Sequence, residues 1–551
     1  RAPFPFLIGA TVPEVVIFDG YMDEPGSLGV PPYIHPLPRA AFGAVRAAGG
    51  VPHYITVDEW RAGRAVPPCD MLIVLAGMSV PGRYLRGMPA SRREVLQLIE
   101  GQRGETVLGG PAALDPELRG RFRHAHYLDA AAAAYDLLDN GRARDRWRTM
   151  EEWDLWSMLG ADCVLHHPDH PQPLIAELET YRGCVRYMTG GCSFCVEPLK
   201  GRPVFREPEA VIAEARALRE RGVVNFRLGA QTCIISYKAE LDGTDCPRPS
   251  PEALEELLSG MAALSPQVLH VDNANPAVMA RHPEETERAL GALVAHCTPG
   301  NVLALGMETA DPAVVATNNL NATPEEVLWA VRAINRAGGH RGANGLPHLL
   351  PGINVLVGLE GERPETLEMD LRFLKGILDE GLLLRRINIR QVVPVRRAFE
   401  RTVSHSQFLR FKERVRTEVD RPMLERLVPV DTVLRSVYTE LREGKVTFGR
   451  QIGTYPLLVG IPHPVELGRF YDVAVVGHGF RSISAVEFPL AVNSCSIAAL
   501  EALPGLGRKR AVRLFRARPL EGPDAVRRAL DDPRVADAVL PFLSFGRPNP
   551  N

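Results

Sequence analysis

Three cysteines, Cys184, Cys192 and Cys195, fall within the run CVRYMTGGCSFC, directly after the apolar stretch LIAELETYRG. In a reducing compartment, thiols this close together serve as metal ligands or redox groups rather than structural disulfides. Three thiolates leave a tetrahedral zinc site one ligand short, and the run contains no histidine to complete it. They suit a four-iron, four-sulfur cluster held through three irons, the fourth left open to chelate a cofactor through amine and carboxylate groups. The plain alternative is three unrelated cysteines near a turn.

The chain that follows would position such a loop. Helix PEAVIAEARALRERG puts Val211, Ile212, Ala215 and Leu218 on one face. Strand VNFRLGAQ, helix PEALEELLSGMAAL, strand VLHVDNANP and helix PEETERALGALVAHC come next. Strand NVLALGMET, helix TPEEVLWAVRAINRAG, strand GINVLVGL, helix PETLEMDLRFLKGILDEG and strand RRINIRQVVP complete the run. With the strand before Cys184 that makes six strands, which predicts a partial (β/α)6 barrel over 165–400. Sites of such barrels lie at the strand carboxyl ends, where the cysteine loop falls. Those ends carry Gly229 and Gln231, then Asp272, Asn273 and Asn275, then Glu308, and finally Arg390, Gln391 and Val392. Asn354 opens the fifth strand motif, GINVLVGLEGE. Each residue alone would serve equally as a cap or turn group. Their recurrence at successive strands points to a shared ligand.

With Phe194 just before its last thiol, the loop resembles the cluster-binding loop of the radical S-adenosylmethionine superfamily. It departs in spacing: seven residues, Val185 to Gly191, separate the first two cysteines, more than the family's pattern has. Gly190 and Gly191 would let the longer loop fold back. The resemblance implies that Cys184, Cys192 and Cys195 hold a 4Fe-4S cluster and that S-adenosylmethionine lies against it, near Phe194. Gly229 and Gln231 stand where the family's glycine-rich turn meets the cofactor's amino group, without its usual G-G-E form. Asn273 ends the next strand. Glu308 resembles the residue set against the ribose, Asn354 belongs to the adenine-contacting motif, and Gln391 and Val392 end the strand where adenine packs.

Residues 1–150 read as a small doubly wound α/β domain. Strands EVVIFDG, DMLIVLAG and ETVLGG alternate with helices PRAAFGAVRAAGG and SRREVLQLIEGQ. Ligands of such sheets sit beyond the strand carboxyl ends, here Asp19 and Gly20, the run Met78, Ser79, Val80, Pro81 and Gly82, and Gly109 and Gly110. No G-x-G-x-x-G fingerprint favours a dinucleotide. Ahead of such a barrel, the domain resembles the Rossmann-like cobalamin-binding domain of one large radical S-adenosylmethionine subgroup. The segment DGYMDEPGSLGVPPYIHP adds a likeness to archaeal members. The D-x-H-x-x-G cobalt-ligand signature is missing, and His35, between prolines, reads as a loop residue. A docking domain without cofactor is the plain alternative.

The C-terminal third is expected to hold a helical connector over 401–446, from HSQFLRFKERVRTEVDRPMLERL and DTVLRSVYTELREG. A small five-stranded module resembling TRAM and other oligonucleotide-binding-like barrels is expected over 447–493. A helix-hairpin-helix tail over 494–551 contains LPGLGRKRA, whose Arg508, Lys509 and Arg510 would either meet a phosphate or solvate a helix start.

Composition narrows the function. The chain of 551 residues is too long for one core, and its net charge of -2 points to neither nucleic acid nor anionic lipid as an obligatory partner. No apolar run reaches the length of a membrane span, and no secretory signal opens the chain, so a cytoplasmic location is expected. The first residue, Arg1, is expected to follow a trimmed start. The resemblance as a whole implies a cobalamin-dependent methyltransferase acting on an unactivated carbon, served by an external electron donor. The layout and N-terminal segment are similar to the archaeal glutamine C-methyltransferases of methyl-coenzyme M reductase, whose alpha subunit would then be the protein partner. The alternative is a tRNA methyl- or methylthiotransferase, which the TRAM-like module invites. Methylthiotransferases need a second cysteine trio near the N-terminus, and here only Cys69 precedes Cys163. A non-catalytic RNA-binding protein with a decayed barrel is disfavoured by the intact cysteine trio.

Overall fold

A computed structural model describes residues 12–24, 27–28, 30–77, 85–400 and 402–546. The chain divides into two compact units, the first made of 1–187, 196–232 and 252–269, the second of 188–195, 233–251 and 270–551.

The first unit opens with an all-parallel sheet built from β1 (Glu14–Asp19), β3 (Val51–Thr56), β4 (Met71–Leu75), β5 (Glu105–Gly109) and β6 (His124–His126), in the order β3–β1–β4–β5–β6. The central strands are buried on both faces, as near-continuous apolar runs must be when helices cover a parallel sheet. Helices α1 (Pro36–Ala47), α2 (Arg92–Ile99) and α3 (Ala130–Asn140) supply the cover. The three expected strands and both expected helices are present. β3 carries Pro52 and His53 in its first half and β6 is HAH, so neither shows a strand's apolar signal.

A second parallel sheet contains β7 (Ile175–Glu179), β8 (Asn225–Gly229) and β9 (Val268–Val271), in the order β9–β8–β7–β2. Its edge strand β2 is Tyr33–Ile34, which pairs parallel with Ile175 and Ala176. A segment expected in the N-terminal domain thus completes the edge of the barrel sheet. Helix α4 (Met150–Leu159) precedes β7, α5 (Pro208–Glu220) runs between β7 and β8, and α6 (Pro251–Ala263) precedes β9.

The second unit continues the strand–helix succession. It holds β10 (Asn301–Glu308), β11 (Leu349–Val357) and β12 (Ile387–Gln391), paired parallel in that order, and an isolated parallel bridge joins Ala274 to Leu305. Helices α7 (Pro283–His296), α8 (Pro324–Gly338) and α9 (Pro364–Asp379) separate these strands. Six parallel strands, β7 to β12, are the (β/α)6 set read from the sequence.

One expectation is overturned. Helices α10 (His405–Val415) and α11 (Arg421–Leu427), joined by a π-helical turn, form only part of the anticipated 401–446 connector. DTVLRSVYTELREG is not a helix but β13 (Val433–Glu443), the first strand of the small barrel. That barrel begins well before 447 and closes as β13–β14–β15–β17–β16 through β14 (Val446–Gln451), β15 (Leu458–Ile461), β16 (Phe470–His478) and β17 (Ser482–Glu487). Four short helices follow, α12 (Ile497–Glu501), α13 (Gly507–Arg516), α14 (Pro523–Ala529) and α15 (Pro533–Val539), sharing a core of Leu500, Leu514, Val526 and Val539 with Ala474 and Val486 of the barrel. The basic trio is partly paired: Arg508 with Glu501 at 3.1 Å and Arg510 with Asp531 at 3.1 Å. No helix among the described residues is long and apolar enough to cross a membrane.

Candidate active site

Cys192, Phe194 and Cys195 share one turn of the second unit. Its own backbone closes it, the Cys195 N–H donating to the Cys192 carbonyl at 3.1 Å. The rest of its bracing comes from outside. One nitrogen of Arg396, Nη1, donates to the carbonyls of Gly190, Cys192 and Cys195 at 2.8, 3.1 and 3.0 Å. Asn319 Nδ2 donates to the Gly191 carbonyl at 2.9 Å. Cys192 and Phe194 pack against an apolar patch of Val314, Val315, Leu320 and Leu359. Leu359 lies just beyond the carboxyl end of β11, so the turn rests on the strand ends, as the sequence implied. Gly190 and Gly191 have φ of +79° and +62°, a region open to glycine at no steric cost, and so let the loop double back.

Cys184 lies in the first unit, after a short antiparallel pair that sets Tyr181 against Phe205 and Arg182 against Val204. The Arg186 N–H donates to its Sγ at 3.5 Å. All three cysteines are half-buried and none is in a disulfide. Among the described residues no three His, Cys, Asp or Glu side chains are gathered as a metal site. What fits an iron–sulfur cluster is the chemistry of the donor set: three soft thiols, and no carboxylate or imidazole competing within the loop.

Strands β10, β11 and β12 present a polar face. Their register sets Gly306 opposite Asn354, Asn354 opposite Asn388, and Leu356 opposite Arg390. Asn388 Nδ2 donates to Asn354 Oδ1 at 3.3 Å. Asn354 therefore lies inside β11, which starts at Leu349, rather than opening the strand as expected. Its flanking residues Ile353 and Val355 are buried while Asn354 and Leu356 are half-exposed, the alternation of a strand with one accessible face. Glu308 ends β10 after a β-bulge, with φ +63°. Burial pushes its carboxyl up to about 8, against the pull of Arg390, so near neutral pH it is largely a protonated hydrogen-bond donor. Gln391 ends β12, and Val392, buried, donates its N–H to the Val357 carbonyl at 2.8 Å.

Other anticipated residues also make contacts within the scaffold. A Cβ on Gly229 would fall 2.1 Å from Glu177 Oε1, whose carboxylate forms a fully buried ion pair with Arg227. Gln231 is buried, donating from Nε2 to the Leu228 carbonyl at 3.0 Å and accepting from Thr180 Oγ1 at 3.3 Å. Asn273 turns the chain with φ +29°, its carbonyl accepting from the Ile234 N–H, and Asn275 caps the helix Pro276–Arg281. Asp272 accepts from the Tyr455 hydroxyl at 3.0 Å.

In the N-terminal domain, Asp19 is fully buried and accepts from Tyr54 OH at 2.7 Å and from the Tyr21 N–H at 2.9 Å. Burial raises its carboxyl to about 6. A Cβ on Gly109 would meet Ala130 at 2.4 Å, and one on Gly110 would meet the Ala76 carbonyl at 2.7 Å. On these sides the residues face the domain's own packing. Met78, Ser79, Val80, Pro81 and Gly82 lie outside the described residues. His35 caps α1, its Nδ1 accepting from the Leu37 N–H at 3.0 Å.

Arg396, Asn318 and Asn319 escaped the sequence reading. The arginine sits in the irregular VPVRRAFE segment and the asparagines in the NNLNATP turn, where no periodicity distinguishes a brace from a solvated loop.

No protein-family model matches the chain. It is 44% identical over 506 residues to the uncharacterized protein MJ0274 of Methanocaldococcus jannaschii, covering 86% of this chain and 92% of that one. An uncharacterized protein of Archaeoglobus fulgidus is 40% identical over 530 residues, covering 93% and 96%. The ribosomal protein uS12 methylthiotransferase RimO of Chlorobium luteolum is 24% identical over 283 residues, 51% of this chain and 59% of its own length. Among solved structures, the radical S-adenosylmethionine methyltransferase TsrM from Kitasatospora setae superposes with a TM-score of 0.45 at 15% identity, covering 68% of this chain and 72% of that one.

Proposed function

We propose that this chain, which belongs to one family with MJ0274 of Methanocaldococcus jannaschii, is a cobalamin-dependent radical S-adenosylmethionine methyltransferase. The observation that carries the reading is the Cys192–Cys195 turn, braced through its carbonyls and seated beside the carboxyl end of β11. In this reading Cys184, Cys192 and Cys195 hold a 4Fe-4S cluster. When bound, the cluster supplies one electron to cleave S-adenosylmethionine, and cobalamin supplies the methyl group.

The chain's own residues orient and shield. Phe194 and Leu356 offer apolar surface beside the cluster loop, which keeps water from a reactive centre. Asn354 and Asn388 present amides on the accessible strand face, suited to a ribose or base edge. When protonated, Glu308 offers a hydrogen-bond donor at the end of β10. Support for cobalamin is the five-stranded parallel sheet ahead of the barrel. We assign residues 1–150 to that domain, apart from the barrel-edge strand Tyr33–Ile34, residues 165–400 to the barrel and the modules from 401 onward to substrate docking.

The acceptor we propose is a carbon of a protein glutamine, in the alpha subunit of methyl-coenzyme M reductase, presented as an extended segment. A second reading, tRNA modification, draws on the likeness to a methylthiotransferase and on the closed C-terminal barrel. It lacks the cysteines for a second cluster, since Cys69 is the one cysteine before Cys163. Anaerobic incubation with S-adenosylmethionine, cobalamin, a strong reductant and either a glutamine-containing peptide or bulk archaeal tRNA separates the two. A gain of one methyl group on the peptide supports the first, and a gain on tRNA alone replaces it with the second.

A further inference from the structure

The loop between β14 and β15 of the small barrel is pinned to the strand residues of the second unit. The Thr454 N–H donates to His270 Nδ1 at 2.8 Å, and the Tyr455 hydroxyl donates to Asp272 Oδ2 at 3.0 Å. The Arg386 guanidinium lies over the Tyr455 ring, 3.9 Å from its centroid, and Arg385 Nη2 donates to the Pro456 carbonyl at 2.7 Å. A Cβ on Gly453 would fall 2.6 Å from the His270 ring, so a glycine is what lets the loop come this close. Three residues at this contact hold a positive φ without being glycine: Tyr455 at +51°, Arg386 at +80°, and Asn273, next to Asp272, at +29°. Backbone strain of this kind persists where surrounding contacts over-determine it, and it gathers at ligand sites.

Strand pairing fixes the height of the contact. Val302 stands opposite Leu350, Ala304 opposite Gly352, and Gly306 opposite Asn354, which pairs in turn with Asn388. Alternation puts all of these on one face. Val302 and Leu350 share a core with Leu457, Val459 and Ile461 of the small barrel, and Tyr455 packs against that core, so this is the face the small barrel covers. The bridge of Ala274 to Leu305 sets Asp272 level with Leu303, and the pairing of Ile353 with Ile387 sets Arg386 level with Gly352. Strands β10 and β11 lie between those two anchors. A ring that touches both therefore crosses the face at the Ala304–Gly352 row, two residues or about 7 Å below Asn354. Ala304 and Gly352 are small enough to leave it room, and the row above, Gly306, Asn354 and Asn388, is half-exposed.

We propose that Tyr455 is the floor of the cavity lined by Asn354 and Asn388, and a specificity-determining residue that limits the size of the base seated there. The inference rests on the reading of that face as the S-adenosylmethionine site. With the two amides on the base edge, the phenol ring beneath them stops a substituent on the base from descending. Asp272 holds the hydroxyl and Arg386 holds the ring face, so the floor is fixed from two sides. The small barrel thereby completes the site in addition to docking substrate.

Two measurements test this. The first reads the floor without any ligand: iodoacetamide labelling of Ala304→Cys in the full chain, with the label located by peptide mass mapping. With Tyr455 present the introduced thiol should be protected, and adding Tyr455→Ala should speed its labelling at least about 10-fold, since reactivity follows exposure. Equal rates overturn the floor. The second is anaerobic calorimetric binding of S-adenosylmethionine and of its N6-benzyl derivative to the cluster-loaded protein. Wild type should prefer the unsubstituted ligand by about 10-fold or more, and Tyr455→Ala should abolish most of that preference. Tyr455→Phe, which keeps the ring and loses the hydroxyl, should discriminate as wild type does. Tyr455→Leu shortens the side chain more gently and should shift both measurements in the same direction if the Ala variant fails to fold. Wild type that takes both ligands equally, or shortened variants that discriminate as wild type does, overturns the specificity role. Wild type that binds neither ligand contradicts the proposed function instead, and the labelling rates still decide the floor.

Discussion

Ser193 and Asn318 are joined twice: the Ser193 N–H donates to the Asn318 carbonyl at 3.0 Å, and Ser193 Oγ donates to Asn318 Oδ1 at 2.8 Å. Asn318 is fully buried and also gives its Nδ2 to the Val314 and Glu360 carbonyls, both at 2.9 Å. One amide thus ties the serine between Cys192 and Phe194 to the chain just beyond β11. Replacing Asn318 by Ala should cost about 3 kcal/mol, because several buried groups lose their partners at once. Asn318→Asp sets a carboxylate oxygen against the Val314 and Glu360 carbonyls and should cost at least as much. Denaturant unfolding of the three proteins measures the order.

Arg396 acts on the same turn from its other side. A lysine there keeps the charge but not the planar fork that fixes its donors. Arg396→Lys should therefore raise amide hydrogen exchange across 188–196 and lower retained iron, while leaving exchange in β13–β17 unchanged. Faster exchange throughout the chain would show a global loss of stability instead.

How much of this was legible varies with the element. The barrel helices follow a helical period and its strands are apolar runs between them, so tertiary packing repeats what local sequence says. β13 does the reverse. Val433, Leu434, Val437 and Leu441 have helical spacing, but they lie on a strand whose pairing slips between Leu434 and Val437 and between Thr439 and Leu441. Ser436 takes φ +55° at the first slip. Bulges offset the two-residue alternation and mimic a helix. At the site, the thiols were legible because their spacing is chemical. Gly229 was legible as a glycine but not in its purpose, since only the fold brings Glu177 beneath it.

That relation gives a stability prediction. Arg227 and Glu177 are both fully buried, so removing one partner strands a charge. Arg227→Met should destabilise by about 4 kcal/mol, whereas Arg227→Met with Glu177→Met should recover most of the loss. Gly229→Ala should also destabilise, by forcing the Glu177 carboxylate aside. Unfolding free energies of the three variants check both statements.

Glu308 sets a pH dependence. Its carboxyl is raised from 4.5 to about 8, so in that window the folded chain holds a proton that the unfolded chain has released. The stability from this group is complete below its unfolded value and is lost as pH rises through its folded one. Glu308→Gln removes the titration. The stability of wild type relative to Glu308→Gln should therefore fall as pH rises across the window. A flat difference would show that Glu308 is ionised throughout.

The central claim is that Cys184, Cys192 and Cys195 hold a four-iron, four-sulfur cluster. It is tested most directly by iron and sulfide analysis of anaerobically purified protein, alongside the variant with all three replaced by Ala. Wild type should carry about four irons and about four sulfides per chain, and the triple variant, still folded by circular dichroism, should carry none. Iron retained in full by a folded triple variant, or absent from wild type after anaerobic reconstitution, would contradict the account.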